Sequence, residues 1–348
     1  GLPVSFRYNP NGAGAAGDEV ASVTYDLDGR LVGATLGNGI VLSRDLDPRS
    51  LETSRTYGDG ATEVLAIATG PYDERGNAQS ETVSGTIATA ARTSRTFTYD
   101  ERSRLVSCTG ADGATWTLDK LGNWTATTQN GTPESRTVNA DNEYLSGNGS
   151  PVYDANGNLA SLDGLTFTYD WADRLVAVSS GSTTVATYTY DAIGRRVTTT
   201  VGSLTTRYVY SGSQVIEEYE GATLARRFVL GPGLDQPVLM DKVAGTSAGR
   251  YYYLRNRQGS VIALTDAGGT VVESYSYSAF GTPRLFDSSG TEVTPPTSSV
   301  GSPFGFTGQR WDAESALWYC RNRMYSPVLG RFLQRDPAGY VDGVNLYA

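Results

Sequence analysis

A five-residue motif, Tyr-Asp-x-x-Gly, recurs along the chain and constrains its fold more strongly than any other feature. In each copy the Asp side chain can accept backbone hydrogen bonds, and Gly three residues later suits the exit of a type I turn. The motif therefore predicts a tight turn between two strands. Its turn-forming residues are Tyr25, Asp26, Gly29, Tyr72, Asp73, Gly76, Tyr153, Asp154, Gly157, Tyr190, Asp191 and Gly194.

Looser copies occupy residues 99–104, 118–123 and 169–174. Before the turn, residues often alternate, as in residues 187–190, where Thr and Tyr alternate and place rings on one face of a strand. Because one hairpin is marginally stable alone, the units must pair edge to edge, and a long strip hides its edges by winding. We therefore expect an all-β protein, a curved or spiralling strip of antiparallel hairpins forming one continuing sheet.

Charge and composition exclude several functions. The net charge is -9 and the isoelectric point is about 4.7, which argues against nucleic acid or anionic membranes as partners. The chain has no His, the commonest general base and zinc ligand. No apolar run is long enough to span a membrane and no signal peptide is evident, so we expect a fragment of a longer chain.

The acidic turns could also suggest calcium binding, since residues 26–29 and 154–158 are similar to the start of an EF-hand loop. The late bidentate Glu and the flanking helices of such a loop are missing, and turn chemistry explains every copy. We therefore expect no metal and no cofactor. Cys108 and Cys320 are too few for a disulfide framework, and two buried thiols are favoured over one long-range bridge.

The C-terminal third carries longer, distinctive segments in a fixed order. They span residues 251–261, 275–281, 306–310, 317–327 and 330–340. This series resembles the Rhs repeat-associated core domain, and the upstream repeats resemble those of the same Rhs/YD-repeat family. That family also includes wall-associated proteins, toxin-complex C components and, more distantly, teneurins.

The resemblance implies a hollow β-shell with a C-terminal plug that encloses a cargo polypeptide, often a toxin. On this basis residues 1–206 form the repeat strip, and residues 207–348 form the core or plug region, continuous with the sheet. The protein would be bacterial and secreted or displayed at the cell surface, and this chain would be an open shell segment without its cargo. Trp318 and Met324 are expected in the core of the plug.

The family also implies self-cutting near the plug by an Arg and two aspartates. Arg331 and Asp336 match the first part of that motif, whereas the second aspartate belongs to a later Asp-Pro-x-Gly segment, and nothing marks Asp342 as its substitute. Two carboxylates could share a proton and act as acid and base. The alternative is structural: Arg331 in a buried ion pair, and residues 336–339 in a type I turn.

Two rival functions remain open. The many Tyr and Trp rings could stack on sugars, which would make the chain an adhesion module that binds glycans or surface receptors. It could also be the remnant of a self-cleaving protease. We favour enclosure over the adhesion module because most rings are needed to pack one face of the sheet, and over the protease because only half of the expected cutting motif is present.

Overall fold

The computed structural model describes residues 5–8, 18–87, 94–147, 149–341 and 343–348. In this part of the chain the secondary structure is almost entirely antiparallel β, and within each sheet every strand pairs with the next along the sequence. One short 3-10 turn, Phe306–Gly308, is the exception. The all-β prediction is confirmed. Asp342 lies outside the described residues.

The strip is divided into two large sheets. The first has β1 (Ser5–Tyr8), β2 (Asp18–Tyr25), β3 (Leu31–Leu36), β4 (Val41–Leu46), β5 (Glu52–Gly58), β6 (Glu63–Thr69), β7 (Ser80–Ser84), β8 (Arg95–Tyr99), β9 (Leu105–Cys108), β10 (Ala114–Leu118), β11 (Trp124–Gln129) and β12 (Thr132–Ser135).

The second sheet continues the same up-and-down order. It has β13 (Val152–Tyr153), β14 (Leu159–Leu162), β15 (Leu165–Tyr169), β16 (Leu175–Ser180), β17 (Thr183–Tyr190), β18 (Arg196–Val201), β19 (Leu204–Ser211), β20 (Gln214–Glu220), β21 (Thr223–Leu230), β22 (Pro237–Lys242), β23 (Gly249–Arg255), β24 (Val261–Thr265), β25 (Val271–Tyr277), β26 (Pro283–Asp287) and β27 (Glu292–Val293).

The last sheet is small and belongs to the plug. Its strands are β28 (Arg310–Asp312), β29 (Leu317–Cys320), β30 (Arg323–Ser326) and β31 (Arg331–Phe332). Between β12 and β13 only an isolated bridge, Val138 to Tyr144, is formed among the described residues. The strip is therefore interrupted there, where we had expected one uninterrupted sheet.

Each repeat turn is held by its Asp side chain. In the turn at Asp170, Oδ1 accepts hydrogen bonds from the backbone N–H groups of Ala172 (2.9 Å) and Arg174 (3.0 Å). The backbone N–H of Asp173 donates to the Asp170 carbonyl oxygen (3.0 Å), which closes the turn. Asp173 stands where most copies have glycine, and its φ of 57° is left-handed, the conformation that favours glycine.

A polar side chain four residues after each Asp ties neighbouring turns together. Arg174 pairs with Asp170 (2.6 Å), and its Nη1 reaches the carbonyl oxygen of Asp191 in the next turn (3.4 Å). Comparable bonds run from Arg104 to Asp119 O (2.7 Å), from Asn158 to Asp173 Oδ1 (2.8 Å) and from Arg195 to Gly212 O (2.8 Å). The turns therefore form a hydrogen-bonded row.

The repeat tyrosines do more than pack. The hydroxyl of Tyr190, at the end of β17, donates to the backbone carbonyl of Leu175 at the start of β16 (2.7 Å). The same bond links Tyr99 to Ala78 (2.9 Å), Tyr169 to Leu159 (2.8 Å) and Tyr210 to Arg196 (2.8 Å). A β-bulge shifts the register at Tyr169 and at Tyr190. The tyrosine hydroxyl thus connects the strand that ends at the tyrosine to the preceding repeat.

The two large sheets curl until they meet. The Asn38 side chain, between β3 and β4, donates to Thr265 Oγ1 and to Asp266 O, both at 2.8 Å. The Tyr57 hydroxyl donates to the Arg255 carbonyl oxygen (2.9 Å) and accepts from the Arg255 N–H (3.0 Å). One apolar cluster spans both sheets at this place and includes Leu36, Ile40, Leu65, Leu239 and Leu254.

Candidate functional site

The C-terminal segment of the chain, residues 304–348, forms the plug and is the candidate functional site. Its apolar side chains enter two cores of the shell: Met324 and Leu333 pack with Trp124 and Leu175, and Trp318 packs with Tyr253. Trp318 and Met324 are each only 2% exposed, as a role in the plug core requires. The Trp318 indole N–H also donates to the Gly281 carbonyl oxygen (2.9 Å).

Arg196 makes a buried ion pair between shell and plug. Its guanidinium donates to both carboxylate oxygens of Asp312, at 2.5 and 2.9 Å, and both side chains are buried. The same guanidinium lies 3.9 Å from the centroid of the Tyr319 ring. Paired geometry of this kind is directional, so the contact fixes β28 and β29 against β18 in one orientation. We call this contact the Arg196 clasp.

A second buried carboxylate joins two arginines. Glu218 on β20 accepts from Arg310 of the plug (2.5 Å) and from Arg226 on β21 (2.6 Å). Burial opposes ionisation of Glu218, but the two positive charges and their hydrogen bonds outweigh it and hold the pKa of this carboxyl below its usual value. Within the shell, Glu218 has Arg226 as its cationic partner. Arg310 of the plug supplies the second cation.

Arg331 contacts the shell through neutral groups. Its guanidinium donates to the Asn142 carbonyl oxygen (2.5 Å) and to Asn123 Oδ1, and lies 3.9 Å from the Tyr144 ring centroid. The structural alternative placed Arg331 in a buried ion pair. It is buried, at 3% exposure, but its partners are amide oxygens and rings.

Asp336 occupies a separate part of the plug. Its carboxylate pairs with Arg323 (2.8 Å), and its Oδ1 accepts from the Ala338 N–H (2.8 Å). The Gly339 N–H donates to the Asp336 carbonyl oxygen (2.9 Å), so residues 336–339 form a turn. No hydrogen bond or ion pair joins Arg331 to Asp336, both of which the structure describes. Their part in self-cutting stays a prediction.

The end of the plug folds back onto the repeat turns. Tyr347 is fully buried, and its hydroxyl donates to the Gly157 carbonyl oxygen (2.5 Å). The Asn345 amide donates to Asn123 Oδ1 (3.0 Å), the atom that Arg331 also binds. Asn123 and Gly157 are repeat residues, so turns of both large sheets serve as receptors for the plug.

Sequence reasoning did not identify Arg196, Asp312, Glu218 or Asn123. One signal for Arg196 was available: Arg195 occupies the turn position four residues after Asp191, so Arg196 is the first residue of the following strand and can face the core. Asn123 stands four residues after the turn aspartate Asp119, at a position that other repeats fill with Arg or Asn, so its residue type alone did not single it out. Nothing in the sequence around Asp312 or Glu218 indicates a partner, because the partners lie about a hundred residues away.

Nowhere among the described residues do three Cys, Asp or Glu side chains gather as metal ligands would. Cys108 and Cys320 are both free thiols, and burial raises the pKa of Cys320 to about 12. Within the same residues, no helix has the length and apolar character needed to cross a membrane.

The fold and plug geometry agree with a known family. The family model for the teneurin YD-shell matches residues 5–345. The chain belongs to this family. The match spans the repeat strip and the plug alike, so the YD-shell family accounts for the whole described architecture, and the Rhs/YD-repeat resemblance is confirmed.

Two curated relatives of this YD-shell chain are named for the nucleic acids they act on. The tRNA nuclease WapA of Bacillus subtilis (strain 168) is 30% identical over 260 residues, which cover 71% of this chain and 11% of that protein. The double-stranded DNA deaminase toxin A of Burkholderia cenocepacia (strain H111) is 28% identical over 229 residues, covering 56% of this chain and 16% of that protein. The chain thus spans only a small part of the relatives it matches.

Solved structures show the same fold. The crystal structure of TcdB2-TccC3-Cdc42 matches with a TM-score of 0.79 and 20% identity, covering 96% of this chain and 19% of that chain. The Photorhabdus luminescens Tc holotoxin pore with the TccC3 change D651A matches with a TM-score of 0.77 and 19% identity, covering 96% and 18%. At these identities the likeness concerns the YD-shell fold.

Proposed function

We propose that this chain is the shell-and-plug segment of a larger bacterial toxin protein, secreted or cell-surface, and that its shell encloses a cargo polypeptide. The observation that carries the proposal is the plug: a segment near residue 312 is locked to a strand 116 residues earlier by a buried ion pair. A buried ion pair that attaches the plug to a curled sheet suits a shell that encloses a polypeptide.

Two further observations support enclosure. The relatives named as a nuclease and a deaminase toxin share the shell region, whereas their activities differ. A common shell that encloses different cargo polypeptides accounts for that pattern. In addition, three of the rings that a glycan-binding surface could use, those of Trp116, Trp124 and Trp318, are buried, whereas Trp171 is exposed. Burial of most Trp rings favours enclosure over glycan binding.

Within the shell we also propose the division already drawn from the sequence, with repeats in residues 1–206 and the core region in residues 207–348. The strand β19 crosses this boundary, so the two parts share one sheet. The division concerns sequence character and role. Residues 1–206 contribute strands of the shell, and residues 207–348 contribute further strands of the shell and then the plug.

The test is limited proteolysis of the full-length protein, followed by mass spectrometry of the segment that comes after the shell. Three proteins are compared: the natural protein, Arg196→Met and Arg195→Met. Arg196 is the buried clasp residue, whereas its neighbour Arg195 is about one-third exposed, hydrogen-bonds to atoms of two turns and lies 4.9 Å from the Tyr210 ring centroid. Both variants remove one positive charge from the same place in the sequence.

We expect the cargo segment to resist cleavage in the natural protein and in Arg195→Met, and to be cut much faster in Arg196→Met. The assay is run at a temperature where circular dichroism shows β structure intact in all three. If the segment is cut as fast in the natural protein as after the shell is denatured, enclosure is refuted.

A further inference from the structure

Residues 345–347, which follow the plug strands, are held like a bound peptide. Tyr347 is fully buried, whereas Tyr340, seven residues earlier, is 71% exposed. Val341 and Val344, which lie between the two tyrosines, are exposed as well. An exposed connection therefore separates a deeply buried side chain from the rest of the plug. We call residues 345–347 the strap.

The strap backbone pairs with the plug in the manner of an added strand. The Phe332 N–H of β31 donates to the Tyr347 carbonyl oxygen (3.0 Å), and the Asp336 N–H donates to the Leu346 carbonyl oxygen (2.8 Å). The Arg323 guanidinium donates to the same Leu346 oxygen (3.0 Å). Backbone pairing of this kind holds extended peptides at strand edges whatever their side chains, so specificity depends on the side chains.

The Tyr347 side chain enters a site between the shell and the plug. Its hydroxyl donates to the Gly157 carbonyl oxygen (2.5 Å) and accepts from Arg335 Nε (3.3 Å). Its ring makes an edge contact with the Tyr153 ring, with centroids 5.8 Å apart, and the Arg331 guanidinium lies 5.3 Å from the Tyr347 centroid. The phenol is thus hydrogen-bonded at its polar end and packed along its apolar body. We call this the tyrosine site.

Glycine at position 157 leaves the room that the hydroxyl needs. A β-carbon there would lie 2.7 Å from the Tyr347 hydroxyl oxygen and against the Arg335 guanidinium. The corresponding glycine of another repeat, Gly194, has nearly the same φ, 86° against 84°, but faces open space. The turn at Gly157 therefore differs from that repeat in the side chain that it receives.

The side chains around the strap also have partners of their own. Asn123 Oδ1, which accepts from Asn345 of the strap, accepts from Arg331 as well. Arg335 pairs with Glu143 (3.0 Å). Departure of the strap leaves these side chains paired, so the large cost of an unpaired buried charge does not arise.

We propose that the tyrosine site is a peptide-binding site whose tethered ligand, the strap, leaves and returns while the rest of the plug stays packed. The ligand class is a peptide with Asn and Tyr separated by one residue, since Asn345 and Tyr347 supply the side-chain contacts. In the longer protein of the function proposed above, on which this purpose rests, release of the strap frees the chain that follows the plug without opening the Arg196 clasp.

Hydrogen exchange in the full wild-type chain tests whether the strap opens alone. The Phe332 and Asp336 amides donate to strap carbonyls, whereas the Leu333 amide donates to the Met324 carbonyl oxygen within the plug (2.8 Å). After correction for intrinsic rates, we expect the two strap-bound amides to exchange at least about tenfold faster than that of Leu333. Equal rates for all three would mean that strap and plug open together, and would overturn the proposal.

Gly157→Ala should expel the strap, and Gly194→Ala is its matched control. Both variants carry the same left-handed backbone penalty, but only the first places a β-carbon against the Tyr347 hydroxyl. We expect Gly157→Ala to raise exchange at the two strap-bound amides by about tenfold over Gly194→Ala, with the Leu333 amide alike in both. Identical exchange at the strap-bound amides in the two variants would contradict the site.

Peptide binding tests the site itself. Tyr347→Ala empties the site in the full chain, and acetyl-Asn-Leu-Tyr-Ala, which repeats residues 345–348, should then bind saturably in calorimetry. The same peptide with Phe in place of Tyr should bind at least about threefold more weakly, because it lacks the hydroxyl. A folded Tyr347→Ala chain that binds no peptide, or that binds a peptide with Ala in place of Tyr equally well, would refute the proposal.

Tyr340→Ala is the control for peptide binding. Its strap is intact and the exposed Tyr340 side chain lies outside the site, so the tethered strap competes with the added peptide. We expect the Tyr peptide to bind this variant at least about tenfold more weakly than Tyr347→Ala. Equal affinities in the two variants would place the peptide elsewhere on the chain.

The strap experiments use this chain without any further segment, so they do not depend on whether the shell encloses cargo. A failure of enclosure in the proteolysis assay leaves peptide binding unaffected. A failure of peptide binding likewise leaves the proteolysis result unaffected, so the two failures are distinguishable.

Discussion

Arg196 of β18 and Asp312 of β28 form a bidentate ion pair with both side chains buried, across 116 residues of sequence. The neighbouring Arg195 pairs with Asp191 of its own turn at 2.7 Å and remains about one-third exposed. The two adjacent arginines therefore have different tasks: one holds a turn, and the other holds the plug.

This contrast predicts the stabilities of the two variants. Arg196→Met leaves the Asp312 carboxylate buried without its partner, and we expect a loss of about 3–5 kcal/mol in the free energy of unfolding. Arg195→Met breaks a partly exposed pair and should cost less than about 1 kcal/mol. Urea denaturation followed by tryptophan fluorescence measures both. Equal losses in the two variants would contradict the clasp.

The hydrogen-bonded turns predict a graded effect at Asp170. Asp170→Ala removes both backbone hydrogen bonds to Oδ1 as well as the pair with Arg174, and should destabilise the chain by about 1–3 kcal/mol. Asp170→Asn keeps an acceptor oxygen for the two N–H groups and should cost clearly less. The comparison is made by urea denaturation, and an Asn variant as unstable as the Ala variant would show that the acceptor oxygen is unimportant.

Acid should weaken the repeat strip through its turn carboxylates. Hydrogen bonds from the backbone and side chain of Arg30 lower the pKa of Asp26, and those from Asn77 lower the pKa of Asp73. Unfolding returns these carboxyls to ordinary values near 3.8, so the unfolded chain binds more protons in acid. Their stabilisation is complete above that pH and is lost as pH falls through the lowered folded-state values.

The measurement is the urea midpoint followed from neutral pH into acid. Glu81 and Glu314 act in the opposite sense, because burial raises the pKa of both and their protonation relieves a penalty. The turn aspartates are more numerous and should dominate at low pH. A midpoint that rises steadily below the ordinary carboxyl pKa would be inconsistent with this balance.

Two glycines of the plug form a matched pair for packing. Gly330 and Gly339 have nearly the same backbone conformation, with φ of 67° and 70°, but a β-carbon at Gly330 would collide with the Trp124 indole, whereas one at Gly339 meets open space. Both Ala variants carry the left-handed penalty of about 1–2 kcal/mol. Gly330→Ala should lose about 1–3 kcal/mol more from overpacking.

Thermal unfolding in parallel samples separates the two glycine variants. The difference in melting temperature between the two variants, and not either loss alone, measures how tightly the plug packs against Trp124. Indistinguishable melting curves would mean that the plug yields easily at this point.

The turns could be predicted because their physics is local. In the Asp26 turn, the carboxylate, the N–H groups it accepts from and the closing bond from Gly29 all lie within five residues. Residue type and spacing therefore determine the geometry without reference to the rest of the chain. The same locality explains why strand alternation predicted an all-β strip.

The plug contacts could not be read in this way. Glu218 meets Arg310 across 92 residues, and Arg331 meets Asn123 across 208. An isolated Glu or Asn offers no sign of which distant group it will face, because that depends on how far each sheet curls and where the strip is interrupted.

The sequence by itself determined the repeating unit: a turn held by Asp, a strand ending in Tyr, and a plug signature at the end. Only the tertiary structure decided which of two adjacent arginines is buried and which repeat turns receive the plug. Turn formation depends on bonds within a few residues, whereas burial and ion pairing depend on surfaces that meet only after the sheets have curled together.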